Sequence, residues 1–172
     1  GVPDVRTQEG QGPWFAACPE PDTLTANNAG PPFRDFRELD RDKMMAGVVG
    51  NMIAPVELLQ RAIDPMIKKK FGRIVNITSG SVKMPLVGLD LSSGARAGLT
   101  AFLAGVARSV AQHNVTMNFL LPGPFDTDRL RSNHEITAKK QGISVDEALK
   151  HRMATIPARR LGQADEFGAT CA

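Results

Sequence analysis

The longest periodic pattern in the chain runs from Asp40 to Lys70, where apolar side chains recur mostly at steps of three and four. That spacing predicts one long amphipathic helix, and Pro55 within it predicts a kink. The positive charge of Lys68–Lys70 complements the dipole at a helix C-terminus, and Gly72 follows as the expected stop. This local role explains the three lysines better than a phosphate-binding patch does.

Three shorter segments have the pattern of β-strands. Arg73–Thr78 is rich in β-branched residues and apolar on both faces, which is typical of a buried parallel strand. Val115–Leu121 has similar character, and Asp22–Ala26 is a shorter candidate that ends in a turn signal at Asn27–Gly30. The sequence therefore predicts three strands separated by helices.

Further helical patterns follow the strands. A second long helix is predicted over Ser92–His113, and a capping box of Ser144 and Glu147 predicts another that ends near Ala154. A last helix is expected to begin near Gln163. The alternation of strands and helices predicts an α/β fold with a parallel sheet, in a single domain over 1–172.

In such sheets, ligands bind beyond the carboxyl ends of the strands. The polar, glycine-bearing segments that follow the three predicted strands are Asn27–Gly30, Ser79-Gly80 and Pro122–Thr127. We therefore expect the functional residues to lie in these three segments.

Composition narrows the classes of function. The 172 residues are 42% hydrophobic and 23% charged with a net charge of +3, and no apolar stretch reaches the roughly 18 residues of a membrane span. The basic excess is spread along the chain, which argues against nucleic acid as a partner. Cys18 and Cys171 are too few for a disulfide scaffold or a zinc site, and the histidines lack metal-ligand spacing. We expect a cytoplasmic protein with reduced thiols.

Several motifs fall at the positions that the fold makes important: Asn27–Gly30 after a strand, Asn51 inside a helix, Ser79 directly after Arg73–Thr78, and Pro122–Thr127. With these motifs the chain resembles the short-chain dehydrogenase/reductases, particularly their 3-oxoacyl-acyl-carrier-protein reductases, over essentially its whole length. The resemblance implies a Rossmann-like, doubly wound parallel sheet in three α/β/α layers, incomplete at both ends of this sequence.

The resemblance also implies roles for individual residues. Ser79 matches the family's catalytic serine and Asn51 its catalytic helix asparagine. NAD or NADP is the implied cofactor, although the family's glycine-rich loop is absent and Gly10-x-Gly12 does not replace it. The positions that match the family's cofactor contacts are Asp4, Val5, Asn27, Ala29, Gly30, Arg96, Pro122, Gly123, Phe125 and Thr127.

Two positions depart from the family pattern. Where the family has its catalytic tyrosine and lysine, this sequence has Ser92 and Arg96, and it contains no tyrosine at all. Ser92 is either a weak substitute for the acid or simply a helix cap. Arg96 can stabilise an alkoxide or bind ribose but cannot relay a proton, and it is otherwise a solvated residue of the helix surface.

Two hypotheses on function follow. The first is an NAD(P)-dependent oxidoreductase that acts on a keto or hydroxy substrate, with a 3-oxoacyl compound as one candidate. The alternative is a catalytically silent member of the fold that binds nucleotide or partner subunits, which the missing tyrosine motivates. Both include a homodimer or homotetramer formed through helices 40–70 and 92–113. Asp128–Gly142 occupies the family's lid position, where its basic residues serve an acyl-carrier or CoA substrate or are plain surface charge.

Overall fold

The computed structural model describes residues 3–172, apart from the side chain of Arg129. Its helices and strands, in chain order, are α1 (Gln8–Ala17), β1 (Thr23–Ala26), α2 (Arg41–Val48), α3 (Ala54–Lys69), β2 (Gly72–Ile77), α4 (Asp90–Val110), β3 (Val115–Leu120), α5 (Asp128–Gln141), α6 (Val145–Ala154) and α7 (Ala164–Cys171). The chain divides into two compact units, Gly1–Leu121 and Pro122–Ala172.

The first unit contains a parallel sheet of three strands in the order β1-β2-β3. In the register of the sheet, Thr23 lies opposite Arg73, and Gly72 lies opposite Val115. The central strand alternates between buried and half-buried residues, as its apolar pattern predicts. The sheet and its flanking helices confirm the predicted α/β class, and each strand lies within one residue of its predicted bounds.

The core of this unit lies where α3 and α4 pack against the sheet. Buried apolar side chains from both helices meet side chains from β2 and β3 in one cluster. Its buried members are Leu59, Ala62, Met66, Ile74, Leu99, Leu103, Val110 and Val115. This packing buries one face of each long helix, as their apolar spacing predicts.

The helix predicted over Asp40–Lys70 is interrupted rather than continuous. A π-helical turn, Val49–Ile53, separates α2 from α3, and the Ala54 N–H donates to the Val49 carbonyl five residues earlier. Pro55 follows at once and has no N–H to donate to the carbonyl four residues before it. The kink predicted at Pro55 therefore takes the form of a widened turn that contains Asn51.

The predicted helix stop at Gly72 and the predicted helix cap at Ser92 are both wrong. α3 ends at Lys69, within one residue of the predicted Lys70, but the residue that stops it is Lys70, in the left-handed conformation (φ 55°), and not Gly72. Gly72 instead begins β2, where a Cβ atom would lie 2.6 Å from the sulfur of Met66. α4 begins at Asp90, so Ser92 lies inside its first turn and does not cap it.

The second unit is helical. The capping box of Ser144 and Glu147 is present at the start of α6, as predicted. α7 follows Gln163, also as predicted. The segment expected to be a lid, Asp128–Gly142, contains α5, a helix that the sequence reading did not include.

Candidate active site

Ser79 lies directly beyond the carboxyl end of β2 and begins a 3-10 turn, Gly80–Val82. Its Oγ accepts a hydrogen bond from the Ser81 N–H at 3.1 Å and a second from the Ser81 hydroxyl at 2.9 Å. Ser79 is half-buried, whereas Ser81 is only 4% exposed. Sequence reasoning missed Ser81, although the Ser79-Gly80-Ser81 spacing was a signal for it.

Arg96 joins the carboxyl ends of two strands. Its two terminal nitrogens donate to the carbonyl of Ile77, at 2.8 Å, and to the carbonyl of Asn28, at 2.9 Å. The residue is 7% exposed, so its interpretation as a solvated residue of the helix surface is wrong. A guanidinium carries several donors in a fixed plane, and it can therefore hold two carbonyls from different elements at once.

The same network continues to the π-helical turn. The Asn28 side-chain amide donates to the carbonyl of Gly50 at 2.6 Å. The neighbouring Asn51 is buried and donates from Nδ2 to the carbonyl of Gly47 at 3.1 Å. Its Oδ1 is buried and finds no hydrogen-bond partner within residues 3–172. Arg96, Asn28 and Gly50 thus connect α4, the loop after β1 and the turn that carries Asn51.

Ser92, which the resemblance predicts at the family's tyrosine position, is 6% exposed in the first turn of α4. A serine hydroxyl is a weaker acid than a phenol and its side chain is shorter by a ring. The sequence holds no tyrosine that could take the place of Ser92. The site therefore has a candidate carbonyl ligand in Ser79 but no phenolic acid.

A cavity of about 270 Å³ opens beside this network. Three predicted site residues, Ala29, Gly30 and Asn51, line it, and Arg6 contributes a charged side chain. Two other predicted cofactor contacts, Val5 and Asn27, line a separate cavity of about 370 Å³. Four predicted cofactor residues of this unit therefore divide between two cavities, and Asp4 and Arg96 line neither of them.

Asp4 already has a partner. Its carboxylate accepts three hydrogen bonds from the Arg6 guanidinium and backbone N–H, at 2.7–3.0 Å, and one more at 3.1 Å. These bonds lower the pKa of Asp4 to about 2. The carboxylate is therefore charged at neutral pH and engaged with Arg6.

The Gly10-x-Gly12 pair lies inside α1. A Cβ on Gly10 would lie 2.0 Å from the carbonyl oxygen of Asp4, so that this glycine serves a close backbone contact. A phosphate loop needs glycines in the turn between a strand and a helix. Within residues 3–172, this pair does not form one.

The remaining predicted cofactor contacts, Pro122, Gly123, Phe125 and Thr127, belong to the second unit. Thr127 caps α5, because its Oγ1 accepts from the N–H of Leu130 at 3.3 Å. The Phe125 ring contacts that of Phe167 edge to face, with the ring centroids 5.3 Å apart. Their roles toward a cofactor remain predictions.

Among the described residues, no helix is both long and apolar enough to cross a membrane. In the same part of the chain, no group of three or more histidine, cysteine, aspartate or glutamate side chains could hold a metal ion.

Comparison with known proteins shows which family the chain is similar to. The family model for short chain dehydrogenase matches residues 18–138. The NADPH-dependent reductase BacG of Bacillus subtilis is 31% identical over 155 residues, or 90% of this chain and 60% of that protein. The acetoacetyl-CoA reductase of Cupriavidus necator is 33% identical over 148 residues, or 85% of this chain and 55% of that enzyme.

A solved structure of a reductase is also similar to this chain. YwfH, an NADPH-dependent reductase involved in bacilysin biosynthesis, superposes with a TM-score of 0.90 at 28% identity, covering 98% of this chain and 66% of that one. This chain thus spans only 60% or less of the two curated relatives named above. The family model covers well over half of the chain, and the chain therefore belongs to the short-chain dehydrogenase family.

Proposed function

We propose that this protein is an NAD(P)-dependent reductase that converts a keto substrate, a 3-oxoacyl thioester in the first instance, into the hydroxy compound. The observation that carries the proposal is the position of Ser79, whose hydroxyl lies beyond the carboxyl end of β2 with its acceptor sites turned to Ser81. Relatives named as NADPH-dependent and acetoacetyl-CoA reductases support the reaction class and the substrate.

The residues present fit one part of the implied cofactor. Ala29, Gly30 and the buried Asn51, whose Oδ1 has no partner in the described chain, border a cavity with room for a ribose. The described residues contain no glycine-rich strand-to-helix turn of the kind that holds a pyrophosphate. When bound, a reduced nicotinamide supplies the hydride for the carbonyl carbon and is itself oxidised.

The chain's own residues act on the carbonyl oxygen of the substrate. The Ser79 hydroxyl donates a hydrogen bond to the carbonyl oxygen, and that bond strengthens as the C=O π-electron pair becomes an alkoxide lone pair. Arg96 and Asn28 hold the loop after β1 and the end of β2 in a fixed relation. With no tyrosine present, the alkoxide takes its proton from water.

The proposal is tested by the oxidation of NADPH and of NADH with acetoacetyl-CoA as the probe substrate. We expect Ser79→Ala to lower the rate about 100-fold, since one oxyanion donor contributes on the order of 10²–10³ to a rate. Ser109→Ala is the control, because this exposed serine on α4 bonds only the local carbonyl of Val106. A rate that Ser79→Ala leaves unchanged would overturn the proposed mechanism.

A second candidate function is nucleotide or partner binding without catalysis. It is favoured by the absence of tyrosine and by the buried Ser92 in that position. Titration with NADPH and with NADH separates the two functions. Binding without turnover across a panel of keto compounds would support the second candidate, and turnover would remove it.

Self-association through the two long helices is also part of the proposal. Phe102 on α4 is 49% exposed, and Ile53 in the π-helical turn before α3 is 38% exposed. A contiguous apolar patch that remains exposed marks a subunit interface, and we propose that these side chains belong to one. A homodimer or homotetramer would bury these side chains. The two free cysteines, Cys18 and Cys171, suit the cytoplasmic location that we propose with it.

A further inference from the structure

The hydrogen bonds between Ser79 and Ser81 favour one role for the Ser79 hydroxyl. A hydroxyl has one proton to donate and two lone pairs that accept. The N–H and the hydroxyl of Ser81 both lie within hydrogen-bond distance of the Ser79 Oγ, and when both donate to it, its two lone pairs are occupied. The single proton of Ser79 remains for a ligand.

The turn holds Ser81 in place for this interaction. The Val82 N–H donates to the carbonyl of Ser79 at 3.1 Å, and the N–H groups of Lys83 and Met84 both donate to the carbonyl of Gly80 at 3.0 Å. Ser81 lies inside this hydrogen-bonded turn and is 4% exposed, so water does not compete for its hydroxyl. The pairing of the two hydroxyls is therefore built into the backbone.

We infer that Ser81 is a positioning residue that makes Ser79 an obligate hydrogen-bond donor toward the substrate oxygen. With both Ser81 groups donating to it, Ser79 has no free lone pair with which to accept a proton from the ligand. Because it accepts two hydrogen bonds, its own O–H is polarised and becomes a better donor. The inference rests on the proposed reductase function and assigns Ser81 a part in it.

The arrangement also limits what the site binds. A donor-only hydroxyl favours ligand groups that carry a lone pair or a negative charge, such as a ketone oxygen or an alkoxide. It gives no bond to an ammonium group, which can only donate. A keto substrate is thus favoured over an ammonium compound of the same shape.

The test compares Ser81→Ala and Ser81→Thr with the unchanged protein. We expect Ser81→Ala to lower kcat about fivefold with little change in KM, the size of one lost neutral hydrogen bond. Ser81→Thr keeps the hydroxyl and is expected to restore most of the rate. Ser93→Ala is the matched control, since Ser93 is also buried and its Oγ has no hydrogen-bond partner in the described chain.

Hydrogen exchange provides a readout that is independent of turnover. The amide of residue 81 is expected to be protected in the unchanged protein and in Ser81→Ala, because its bond to the Ser79 Oγ survives that change. In Ser79→Ala, that amide should exchange faster. Loss of its protection in Ser81→Ala would mean that the turn itself had changed, and the role of Ser81 would then be structural.

The outcomes separate the inference from the function on which it rests. A large loss in Ser79→Ala with no loss in Ser81→Ala would overturn the role of Ser81 and leave the reductase function standing. Equal losses in Ser81→Ala and Ser81→Thr would also overturn it, because the hydroxyl would not be the group that matters. An unchanged rate in Ser79→Ala would overturn the proposed function itself.

Discussion

The guanidinium of Arg96 donates a 2.9 Å hydrogen bond to the backbone carbonyl of Asn28, a residue 68 positions earlier in the chain. The same side chain donates to the carbonyl of Ile77 at 2.8 Å. The resemblance predicts that Arg96 takes the position of the family's lysine, and its geometry is that of a buried brace between two strand ends.

The brace predicts a specific loss of stability. Arg96→Met should lower the free energy of unfolding by about 2–4 kcal/mol, because two buried carbonyls lose charged donors. Arg96→Lys should lose less, since an ammonium group retains the charge but lacks the planar fork that reaches both carbonyls. Urea unfolding measures each difference. Arg108→Met, at an exposed position of the same helix, is the control, and equal stability of the two methionine variants would contradict the brace.

The two glycines of α1 predict opposite effects of one substitution. Gly10→Ala should destabilise the protein by about 1–3 kcal/mol, because the new Cβ would meet the Asp4 carbonyl oxygen at 2.0 Å. Gly12→Ala should stabilise it by about 0.5–1 kcal/mol, because nothing lies within 4 Å of its Cβ and alanine favours a helix. Thermal or urea unfolding checks both, and similar effects at the two positions would contradict the contact.

Acid should weaken the start of α7. Arg160 holds the Glu166 carboxylate in a salt bridge, and the N–H of Gln163 adds a hydrogen bond, so the pKa of Glu166 falls from 4.5 to about 2. A lowered folded-state pKa contributes stability that is present above pH 4.5 and is lost as pH falls toward 2.

Carbon NMR of the Glu166 carboxyl group measures this titration directly. Arg160→Met should return the pKa toward its ordinary value, because the salt bridge is the largest cause of the shift. Titration of Glu166 near 4.5 in the unchanged protein would contradict the contact.

The proposed subunit interface predicts a change of mass in solution. Light scattering should show a multimer for the unchanged protein, and Phe102→Asp should shift it toward the monomer because a charge would be buried without a partner. Val87→Asp is the control, since this loop residue is 92% exposed and lies outside the helix face. A monomeric unchanged protein, or a Phe102→Asp variant that still assembles, would contradict the interface.

Local signals predicted much of this fold. β2 and β3 follow from runs of β-branched and apolar residues, and the capping box at Ser144 follows from two side chains three residues apart. Each of these depends on interactions within a few residues. The helix α1 was missed because Gly10, Gly12 and Pro13 disfavour a helix, whereas the close approach of Asp4 and the bonds of Gln11 hold it together.

The partners within the candidate site were less accessible to sequence reasoning. The position of Ser79 follows from the strand before it. No sequence pattern, however, predicts which two backbone carbonyls Arg96 binds. Their roles depend on where β1 and β2 end relative to α4, which is a tertiary relation. The left-handed cap of α3 at Lys70 was not predicted either. A non-glycine residue rarely adopts positive φ, and the sequence pattern therefore favoured Gly72 as the residue that stops the helix.

The π-helical turn at Val49–Ile53 lets one helical stretch serve two sets of neighbours. Each residue of an α-helix advances the chain by about 100° around its axis, so a widened turn resets which side chains point in which direction. Gly47 in α2 faces Leu91, whereas Leu59 and Met66 in α3 face the core. Removing one residue from the turn would rotate α2 relative to α3 and exchange its partners, while leaving both helices intact as helices.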